Sequence, residues 1–479
     1  MASNTLKFSE YLDNTDFYCG LDVHKYQLAV CIYGKDDAGH EFKKSETFGT
    51  DPRALESFFS FTARFQPVCY GMEATNVYHH PIAVLLQKKA NIVDWTFETI
   101  IFNPSDASGI PGHHKHDRLD AYRIARYLHA GLLKPGQDVN VVLEDMRAVF
   151  RTALRLERDR TALKNRIKKT LDRAGMRPRG LDLNRQWVVD FLHALCDRDG
   201  TLLDVINELK ADDKFPARHQ ASIKRNFEKF EPYLGIALSG GQKALVKQDL
   251  VELDFKTARI TLLGVEVDRI VAKRPGLRQS IVNLASIPGL SAFTAAWLVS
   301  ELGPFSRYPS HRKFSAYCGC CERVVKSADK TYSAHTLRRS NKHVRTMLYN
   351  TARVLCHVVK EESALVRYCR RIYAKKRHRS PTLAYCTIAT KLSRIIYALF
   401  RDGTGFDPAL GGNARAPVDV GNGLLTVTDL RKVRNASKAL ERVSKLEHLP
   451  MMAQNAKIYA EALERLLKSV KKPLKKKPS

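Results

Sequence analysis

The spacing of apolar residues changes near Glu144, and this change constrains the fold more than any other feature of the sequence. Before it, the runs FYCGLDVHKYQLAVCIYG, EFKKSETFGT, PVCYGMEA and WTFETIIFN have the β-branched and aromatic content of strands. The segments DPRALESFFSFTARF and NVYHHPIAVLLQKKA predict helices, and the first opens with Asp-Pro. Strands followed by alternating strands and helices predict an RNase H-like α/β domain over residues 1–145.

Beyond Glu144 the apolar residues recur at spacings of three, four and seven along two stripes. The first runs from Val149 to Leu171 within a very basic segment, and the second from Leu250 to Val271. Narrow apolar stripes on long helices predict a coiled-coil arm or helical dimerisation region over residues 146–275. Two helices packed inside one domain would show the same periodicity, so both arrangements stay open at this point.

The sequence pattern changes a second time near Pro275. The segment SIPGLSAFTAAWLVSELG places a Pro-Gly turn between two short helices, as in a helix-hairpin-helix whose turn amides can hold a DNA phosphate. A plain helical hairpin is the alternative. Helices continue through ATKLSRIIYALF, which predicts a mainly helical domain over residues 276–410. Residues 411–479 are predicted to form a Gly/Pro-rich linker, two helices and a basic tail.

The charge balance indicates the class of partner. The chain has 479 residues, with 79 Lys and Arg against 50 Asp and Glu, a formal net charge of +29. Such an excess favours a polyanion, and nucleic acid is the leading candidate. We find no apolar run long enough to span a membrane and no signal peptide, so we expect a cytoplasmic protein without a membrane partner. The cysteines are scattered apart from Cys318, Cys320 and Cys321, and are expected to be reduced.

Four acidic residues occupy positions that suit a two-metal nuclease. Asp22 lies inside the first strand and Glu73 ends the PVCYGME strand. Asp117 and Asp120 fall in the first turn of a later helix, where residues three apart are separated by about 60° around the axis. Mg²⁺ takes hard oxygen ligands and leaves open positions for phosphate oxygens. A lone buried carboxylate is costly, which favours a functional role for Asp22; a helix cap is the simpler role for Asp117 taken alone.

The loop before that helix, HHKH, is predicted to lie beside the metal site. Lys115 would bind a phosphate, with a solvated loop lysine as the alternative. His113, His114 and His116 could bind a transition metal, but they lack regular ligand spacing.

The segment YCGCCERVVKSADKTYSAHTLRRSNKHVR is basic and rich in hydroxyl groups. A serine is a weak nucleophile unless neighbours or a metal activate it. Ser327, Ser333 and Ser340 are each surrounded by Lys and Arg, and spacing alone does not choose among them. The Cys-x-Cys-Cys run fits no common structural zinc pattern.

These motifs together resemble a known family. Asp22, Glu73 and the pair Asp117 and Asp120 in KHDRLDA look like the DEDD tetrad of the IS110 (insertion sequence one-hundred-ten) transposases, also called bridge-RNA-guided recombinases. IPGLSAFTAAWLVSELGPFSRYPSHRKFSAYCG resembles the start of their C-terminal transposase domain, and SNKHVRTMLYNTA and ATKLSRIIYALF resemble its closing helices. The resemblance covers most of residues 17–145 and 276–402.

The resemblance implies a RuvC-like N-terminal domain and a nucleophilic serine in the C-terminal domain. Ser327 is the position that matches the family's Ser-Ser-Gly segment, although Lys326 replaces the first serine and Ala328 the glycine. The implied fold class is therefore multi-domain, α/β plus α: a RuvC-like (RNase H-like) domain, a coiled-coil arm and a mainly helical transposase domain. The implied metal is Mg²⁺ on Asp22, Glu73, Asp117 and Asp120, for which Mn²⁺ can substitute.

The resemblance also implies how such a protein would act. A structured non-coding RNA, the bridge RNA, pairs with donor and target DNA, and Ser327 holds the broken strand as a phosphoserine ester. The family's active site combines the tetrad and the serine of different protomers, which implies a dimer or tetramer. The alternatives from the residues are a metal-dependent Holliday-junction resolvase acting through water, a site-specific DNA invertase, and a non-catalytic nucleic-acid-binding protein with a degenerate nuclease fold.

Overall fold

The computed structural model describes residues 15–74, 77–103, 117–133, 140–327, 330–336, 340–408, 412–413, 427–444 and 450–471. The chain divides into two units, Met1–Glu144 and Asp145–Ser479. Lys115 and the loop histidines His113, His114 and His116 lie outside the described residues.

The first unit is built on a five-stranded mixed sheet with strand order β3-β2-β1-β4-β5. The strands β1–β3 form an antiparallel meander, and β4 and β5 continue the sheet parallel to β1. This mixed α/β layout is consistent with the RuvC-like fold that the sequence predicts. The strands are β1 (Phe17–Val23), β2 (Gln27–Lys35), β3 (Glu41–Gly49), β4 (Cys69–Glu73) and β5 (Glu98–Phe102).

Among the residues that the structure describes, three helices cover this sheet: α1 (Pro52–Ala63), α2 (His79–Lys89) and α3 (Asp117–His129). The helix α1 begins where the sequence predicts, because the Asp51 side chain accepts hydrogen bonds from the amides of Arg53 and Ala54. The helices α1 and α2 pack on one face of the sheet, with Phe58 and Ile82 in an apolar core. The opposite face receives α3.

Glycines let α3 approach the strands closely. A β-carbon at Gly20 would collide with the carbonyl oxygen of Ala121 and lie 2.5 Å from the amide nitrogen of Ala125. A β-carbon at Gly71 would lie 2.6 Å from a methyl group of Leu128. The helix backbone therefore rests directly on β1, where no larger residue fits at position 20.

The second unit contains nearly all of a long helix that starts at Val141, and it continues through a helical subdomain. Its first elements are α4 (Val141–Arg173), α5 (Gln186–Asp197), α6 (Leu202–Ala211), α7 (Ala217–Arg225) and α8 (Gly240–Ala272). Ion pairs join Arg166 to Asp249 and Asp159 to Lys256. The later residue of α4, Arg166, pairs with the earlier residue of α8, Asp249, so α4 and α8 run antiparallel.

The apolar stripes of α4 and α8 are covered within the chain. Leu163 and Ile167 of α4, and Leu250 of α8, share one core with α5, α6 and α7. The structure therefore shows, for the residues it describes, two helices packed inside one unit. It does not show the predicted coiled-coil arm.

The remaining helices form the C-terminal part of the second unit: α9 (Pro275–Ala285), α10 (Ala292–Leu302), α11 (His311–Tyr317), α12 (Lys342–His357), α13 (Ala364–Lys376), α14 (Pro381–Asp402), α15 (Val427–Ser444) and α16 (Pro450–Lys471). The predicted helical hairpin is present as α9 and α10. Gly289 in the turn has φ +78°, and the Ser291 side chain caps α10 by accepting from the Thr294 amide at 3.2 Å.

The described part of the second unit also contains four short strands. The strands β6 (Glu322–Ser327) and β7 (Lys330–Thr336) form an antiparallel hairpin that the sequence did not predict. The short strands β8 (Phe406–Asp407) and β9 (Gly412–Asn413) pair across the start of the Gly/Pro-rich segment GTGFDPALGGNARAPVDVGNG, where a linker was predicted.

The helix α14 is long and apolar enough to cross a membrane by length and composition, contrary to the sequence expectation that no such run exists. Half of that stretch is buried inside the protein. Leu392, Ile396 and Leu399 are fully buried, as in the core helix of a folded domain.

The C-terminal helices α15 and α16 pack on α8. Leu440 and Ala456 contribute to a small apolar core with Val251 and Ala258 of α8. Beside it lies a network of charged groups centred on Arg442.

In this network the Arg442 guanidinium donates to Asp190 Oδ1 at 2.5 Å and to Asp254 Oδ2 at 3.0 Å. His193 Nε2 lies 3.1 Å from Asp254 Oδ2, and His219 Nδ1 lies 3.1 Å from Asp190 Oδ2. The network joins α15 to α5, α7 and α8, so it attaches the C-terminal helices to the helical subdomain.

Candidate active site

Two of the four predicted acidic residues occupy equivalent positions on neighbouring strands. In the parallel pair β1 and β4, Leu21 stands opposite Met72. Asp22 and Glu73 are the next residue of each strand, so the same register places them side by side. Successive side chains alternate between the two faces of a sheet. Both carboxylates therefore project on the face opposite the core that buries Leu21 and Met72.

The other two acidic residues begin the helix that covers this same face. Asp117 is the first residue of α3, and Asp120 follows one turn later. Further along α3, Ala121 and Ala125 lie over Gly20, and the His129 ring lies 5.4 Å from the Tyr18 ring.

The direction of α3 follows from these contacts. Its last turn lies over the start of β1, so α3 runs antiparallel to β1. Its N-terminal turn consequently lies at the end of β1 that carries Asp22. The backbone thus brings all four predicted positions to one end of one face of the sheet.

Two of these carboxylates pair with neighbouring basic side chains. Asp22 Oδ2 lies 3.2 Å from His24 Nε2, and 21% of the Asp22 side chain is exposed. Asp120 Oδ1 accepts from Arg123 at 3.0 Å, and 35% of its side chain is exposed. Both groups therefore reach solvent, which a site that receives a phosphodiester requires.

The residues present fit a hard divalent cation. All four side chains supply oxygen donors, and such donors are the ones Mg²⁺ prefers. Carboxylates in the first turn of a helix also benefit from its dipole. Among the side chains that the structure describes, no three His, Cys, Asp or Glu groups are already gathered as a ligand set. The structure thus supplies the backbone placement, while the Asp117 side chain and Lys115 lie outside the described residues.

A pair of tyrosines ties α3 to the meander. Tyr33 of β2 donates to Glu41 Oε1 at 2.9 Å, and Tyr122 of α3 donates to Glu41 Oε2 at 3.4 Å. Burial, followed by the bond to Glu41, raises the pKa of Tyr33 to about 12, so this hydroxyl stays a donor at neutral pH. Lys43 lies 3.9 Å over the Tyr122 ring. These contacts hold α3 against the sheet beyond the apolar packing.

The structure places Ser327 at the end of β6, where it stands opposite Lys330 across the hairpin. Ser333 lies within β7, and Ser340 follows the hairpin. The side chains of residues 322–339 are outside the described part of the chain, so the assignment of the nucleophile stays a prediction.

A buried carboxylate that sequence reasoning missed lies near the hairpin. Glu301 of α10 is 1% exposed. Its two oxygens accept from Arg151 at 3.0 Å each, and Asn341 donates to Oε2 at 2.9 Å. Burial raises the pKa of Glu301, but the hydrogen bonds from Arg151 and Asn341 outweigh it and hold the pKa below its usual value.

The Glu301 network fixes the segment that follows the hairpin. Asn341 also caps α12 by accepting from the amides of His343 and Val344, and its own amide donates to the Tyr317 carbonyl at 2.8 Å. The network therefore connects α4, α10, α11 and α12 at the point where the chain leaves β7. The sequence signal was an acidic residue inside the apolar helix AFTAAWLVSEL, the same kind of signal that identified Asp22.

The cysteines before the hairpin are free thiols. Burial raises the pKa of Cys320 to about 12 and that of Cys318 well above its usual value, so neither is an activated nucleophile.

Comparison with known proteins identifies two segments of the chain. Residues 19–176 match a family model described as a transposase, of the DEDD type found in IS110 elements. Residues 282–367 match a family model described as "Transposase IS116/IS110/IS902 family". The first match contains all four candidate acidic residues, and the second contains the β6–β7 hairpin and Ser327.

A transposase for insertion sequence element IS1328 from Yersinia enterocolitica is 29% identical to this chain over 142 residues. That alignment covers 29% of this chain and 42% of the relative. The chain thus matches less than half the length of this curated relative.

Proposed function

We propose that this chain, which resembles the IS110 family of transposases over two segments, cleaves and exchanges DNA strands of an insertion sequence. The observation that carries the proposal is the convergence of Asp22, Glu73 and the N-terminal turn of α3 at one end of one sheet face. An Asp inside an apolar strand beside a second strand-end carboxylate is costly to bury, which favours a functional role for the pair.

The four acidic residues Asp22, Glu73, Asp117 and Asp120 would hold divalent metal ions, Mg²⁺ or Mn²⁺. When bound, such ions stabilise the attacking and leaving oxygens of a phosphodiester. The chain's own contribution is to fix α3 on β1 through the Gly20 contact and the tyrosine pair on Glu41. Lys115 would bind a non-bridging phosphate oxygen.

Ser327 would act as the nucleophile of the covalent step. Its hydroxyl oxygen attacks the scissile phosphorus and gives up its proton, the P–O bond to the leaving strand breaks, and the leaving oxygen takes up a proton. The product is a phosphoserine ester that stores the energy of the broken bond for rejoining. The position of Ser327 at the end of β6, near a hairpin tip, supports access to a DNA backbone.

We further propose that a bridge RNA selects the donor and target DNA, and that the active protein is a dimer or tetramer in the cytoplasm. The formal net charge of +29 supports a large polyanionic partner in addition to the few phosphates at a metal site. In such a system, base pairing reads the sequence and the protein binds the nucleic acid by its shape and backbone.

The metal site is tested by Asp22→Asn. The variant should lose DNA strand cleavage in the presence of Mg²⁺ and keep its affinity for DNA, because one ligand matters far more to catalysis than to a broad electrostatic interface. Asp36→Asn is a matched control, since Asp36 lies in the same meander, pairs with His40 as Asp22 pairs with His24, and is 25% exposed. Wild-type cleavage by the Asp22→Asn protein would refute the tetrad.

The covalent step is tested by trapping protein on nicked or mismatched DNA and denaturing the complex. An adduct should form with the wild-type protein, with Ser333→Ala and with Ser340→Ala, and should disappear with Ser327→Ala. Loss of the adduct with Ser333→Ala instead would move the nucleophile to that residue. Free DNA ends without any adduct would favour the water-dependent resolvase over the recombinase.

The RNA is tested by recombination with purified protein in the presence and absence of the RNA that co-purifies with it. Activity should require the RNA, and altering its pairing loops should redirect the DNA site. Equal activity without RNA would favour a recombinase or invertase that reads DNA by protein contacts alone.

A further inference from the structure

The helix α13 carries an unusual concentration of positive charge. The sequence from Ala364 to Ser380, ALVRYCRRIYAKKRHRS, contains seven Arg and Lys residues and no acidic residue. On this helix Arg367, Arg371 and Lys375 are all exposed and recur at every fourth position. Residues four apart share one face of a helix, so these three form a single line of charge, which we call the α13 ridge.

The ridge differs from the ion-paired basic residues of α4 and α8 in having no carboxylate beside it. On α4 and α8, Arg160 lies 2.8 Å from Glu157, Lys247 lies 2.6 Å from Asp197, and Lys256 lies 3.2 Å from Asp159. No member of the ridge has an ion pair with any carboxylate in the part of the chain that the structure describes.

A basic residue next to the ridge does pair with a carboxylate, and that ion pair stabilises the fold. Arg370, one residue from the ridge, bonds to Glu362 and to the carbonyl oxygen of Val359, which secures the start of α13. Arg371 instead lies 5.9 Å from the Tyr368 ring centroid on its own helix.

The helix dipole does not account for the ridge. Cations in the last turn of a helix are stabilised by the carbonyl end, which explains Lys375 and Arg377. Arg367 and Arg371 lie in the first two turns, where this effect is absent. Like charges four residues apart also destabilise a helix, so the arrangement is unfavourable unless an anion lies against it.

We propose that the α13 ridge is a binding site for the phosphodiester backbone of a nucleic acid. Its three charges extend over about 12 Å, because a helix rises ~1.5 Å per residue. One strand of a duplex carries a phosphate about every 3.4 Å along the axis, so each cation can meet its own phosphate. The exposed Arg377 and Arg379 after the helix extend the same positive surface.

This site rests on the proposed function only in requiring a nucleic-acid partner; it does not require the metal site or Ser327. A phosphodiester backbone can come from DNA or from RNA. The test therefore uses a blunt DNA duplex and an RNA duplex of the same sequence, with the full-length chain in EDTA, where metal-dependent cleavage does not occur. Failure of the proposed strand cleavage leaves this binding measurement unaffected.

The test variant is Arg367→Gln/Arg371→Gln/Lys375→Gln. Its matched control is Arg160→Gln/Lys247→Gln/Lys256→Gln, which removes the same number of positive charges from ion-paired positions. The dissociation constant is measured against salt concentration. For DNA the log–log slope of the ridge variant should fall by about 2–3, given ~0.9 per phosphate, and affinity should fall about tenfold or more at ~0.15 M salt. The control should keep the wild-type slope.

The outcomes distinguish DNA from RNA as the ligand and test whether the ridge binds a phosphodiester backbone. Equal losses on both duplexes support a backbone site that accepts either nucleic acid, and a loss on one duplex alone supports the site and identifies its ligand. Ridge and control variants that behave alike on both duplexes would overturn the proposal. The charge-retaining variant Arg367→Lys/Arg371→Lys should bind like the wild type, and a loss of affinity in that folded variant would also overturn it.

Discussion

Replacing Gly20 by alanine should damage the candidate active site without touching any of its acidic residues. Gly20 lies on β1 two residues before Asp22, on the same face. The added methyl group would collide with the Ala121 carbonyl oxygen and lie 2.5 Å from the Ala125 amide nitrogen. Both obstacles are helix backbone, so no side-chain rotation relieves them. Since non-bonded atoms prefer about 3.5–4.0 Å, α3 must retreat by roughly 1 Å.

That retreat has two measurable consequences. Overpacking of this kind costs about 1–3 kcal/mol of unfolding free energy, which thermal or chemical denaturation detects. It also moves Asp117 and Asp120 away from Asp22, and a displacement of about 1 Å at a catalytic site can reduce the rate ~100-fold. Mg²⁺-dependent cleavage of a DNA substrate should therefore fall by about that factor, while DNA affinity in EDTA is unchanged.

Gly264→Ala is the matched control. A β-carbon at Gly264, inside α8, would meet its nearest neighbour, Phe293 Cε2, at 3.9 Å, an ordinary contact. Alanine in a helix interior is favoured over glycine, so this variant should gain about 0.5–1 kcal/mol and cleave like the wild type. A Gly20→Ala protein with both wild-type stability and wild-type cleavage would show that α3 does not rest on β1 as described, and the convergence of the four carboxylates would lose its support.

The charged network of the second unit provides two further predictions. Arg442→Met leaves the carboxylates of Asp190 and Asp254 without their cation, and should lower the unfolding free energy by about 3 kcal/mol. This is the low end for a broken buried ion pair, because a third of the arginine side chain is exposed. Adding Asp190→Asn and Asp254→Asn should restore most of the lost stability, and no recovery would contradict the ion-pair account. Burial lowers the pKa of His219 despite the opposing effect of Asp190, so the unfolded chain binds more protons and stability should decline as pH falls below about 6.5. Denaturation at several pH values should show a smaller decline for His219→Gln, and an unchanged pH dependence would contradict this assignment.

Much of the first unit was predictable because its elements follow simple patterns. The turn near His24 and Lys25, the strand ending at Glu73 and the Asp51 cap all lie where the sequence predicts. Strands that are buried on both faces, such as β2, read as continuous apolar runs. The order of the strands places Asp22 and Glu73 at the same end of the sheet, but only the packing of α3 on Gly20 shows that the N-terminal turn of α3 lies at that end.

The β6–β7 hairpin was not predictable in the same way. Its residues are mostly basic and polar, with no regular alternation of apolar and polar residues to mark a strand. The Glu301 network was missed for another reason, because its partners Arg151 and Asn341 lie 150 and 40 residues away in the chain. A lone acidic residue in an apolar helix indicates that a hydrogen-bonding partner exists, but it does not indicate which residue that partner is.

The two long helices show the limit of periodicity. A stripe of leucines indicates that one face of a helix is covered, but it does not indicate which segment or molecule covers that face. Here α5, α6 and α7 cover the stripes of α4 and α8 from within the chain. The sequence contained these short helices, but their apolar residues gave no indication of which surface they pack on.

The packing of α15 and α16 on α8 has a practical consequence for the boundaries of a recombinant fragment. The Gly- and Pro-rich segment around residue 411 invites truncation there, since everything the family models match lies before it. Truncation at that point would expose the apolar side chains of Val251, Phe255 and Leu262 on α8. Such a fragment should accumulate in inclusion bodies, whereas a chain retained through residue 471 should stay in the supernatant.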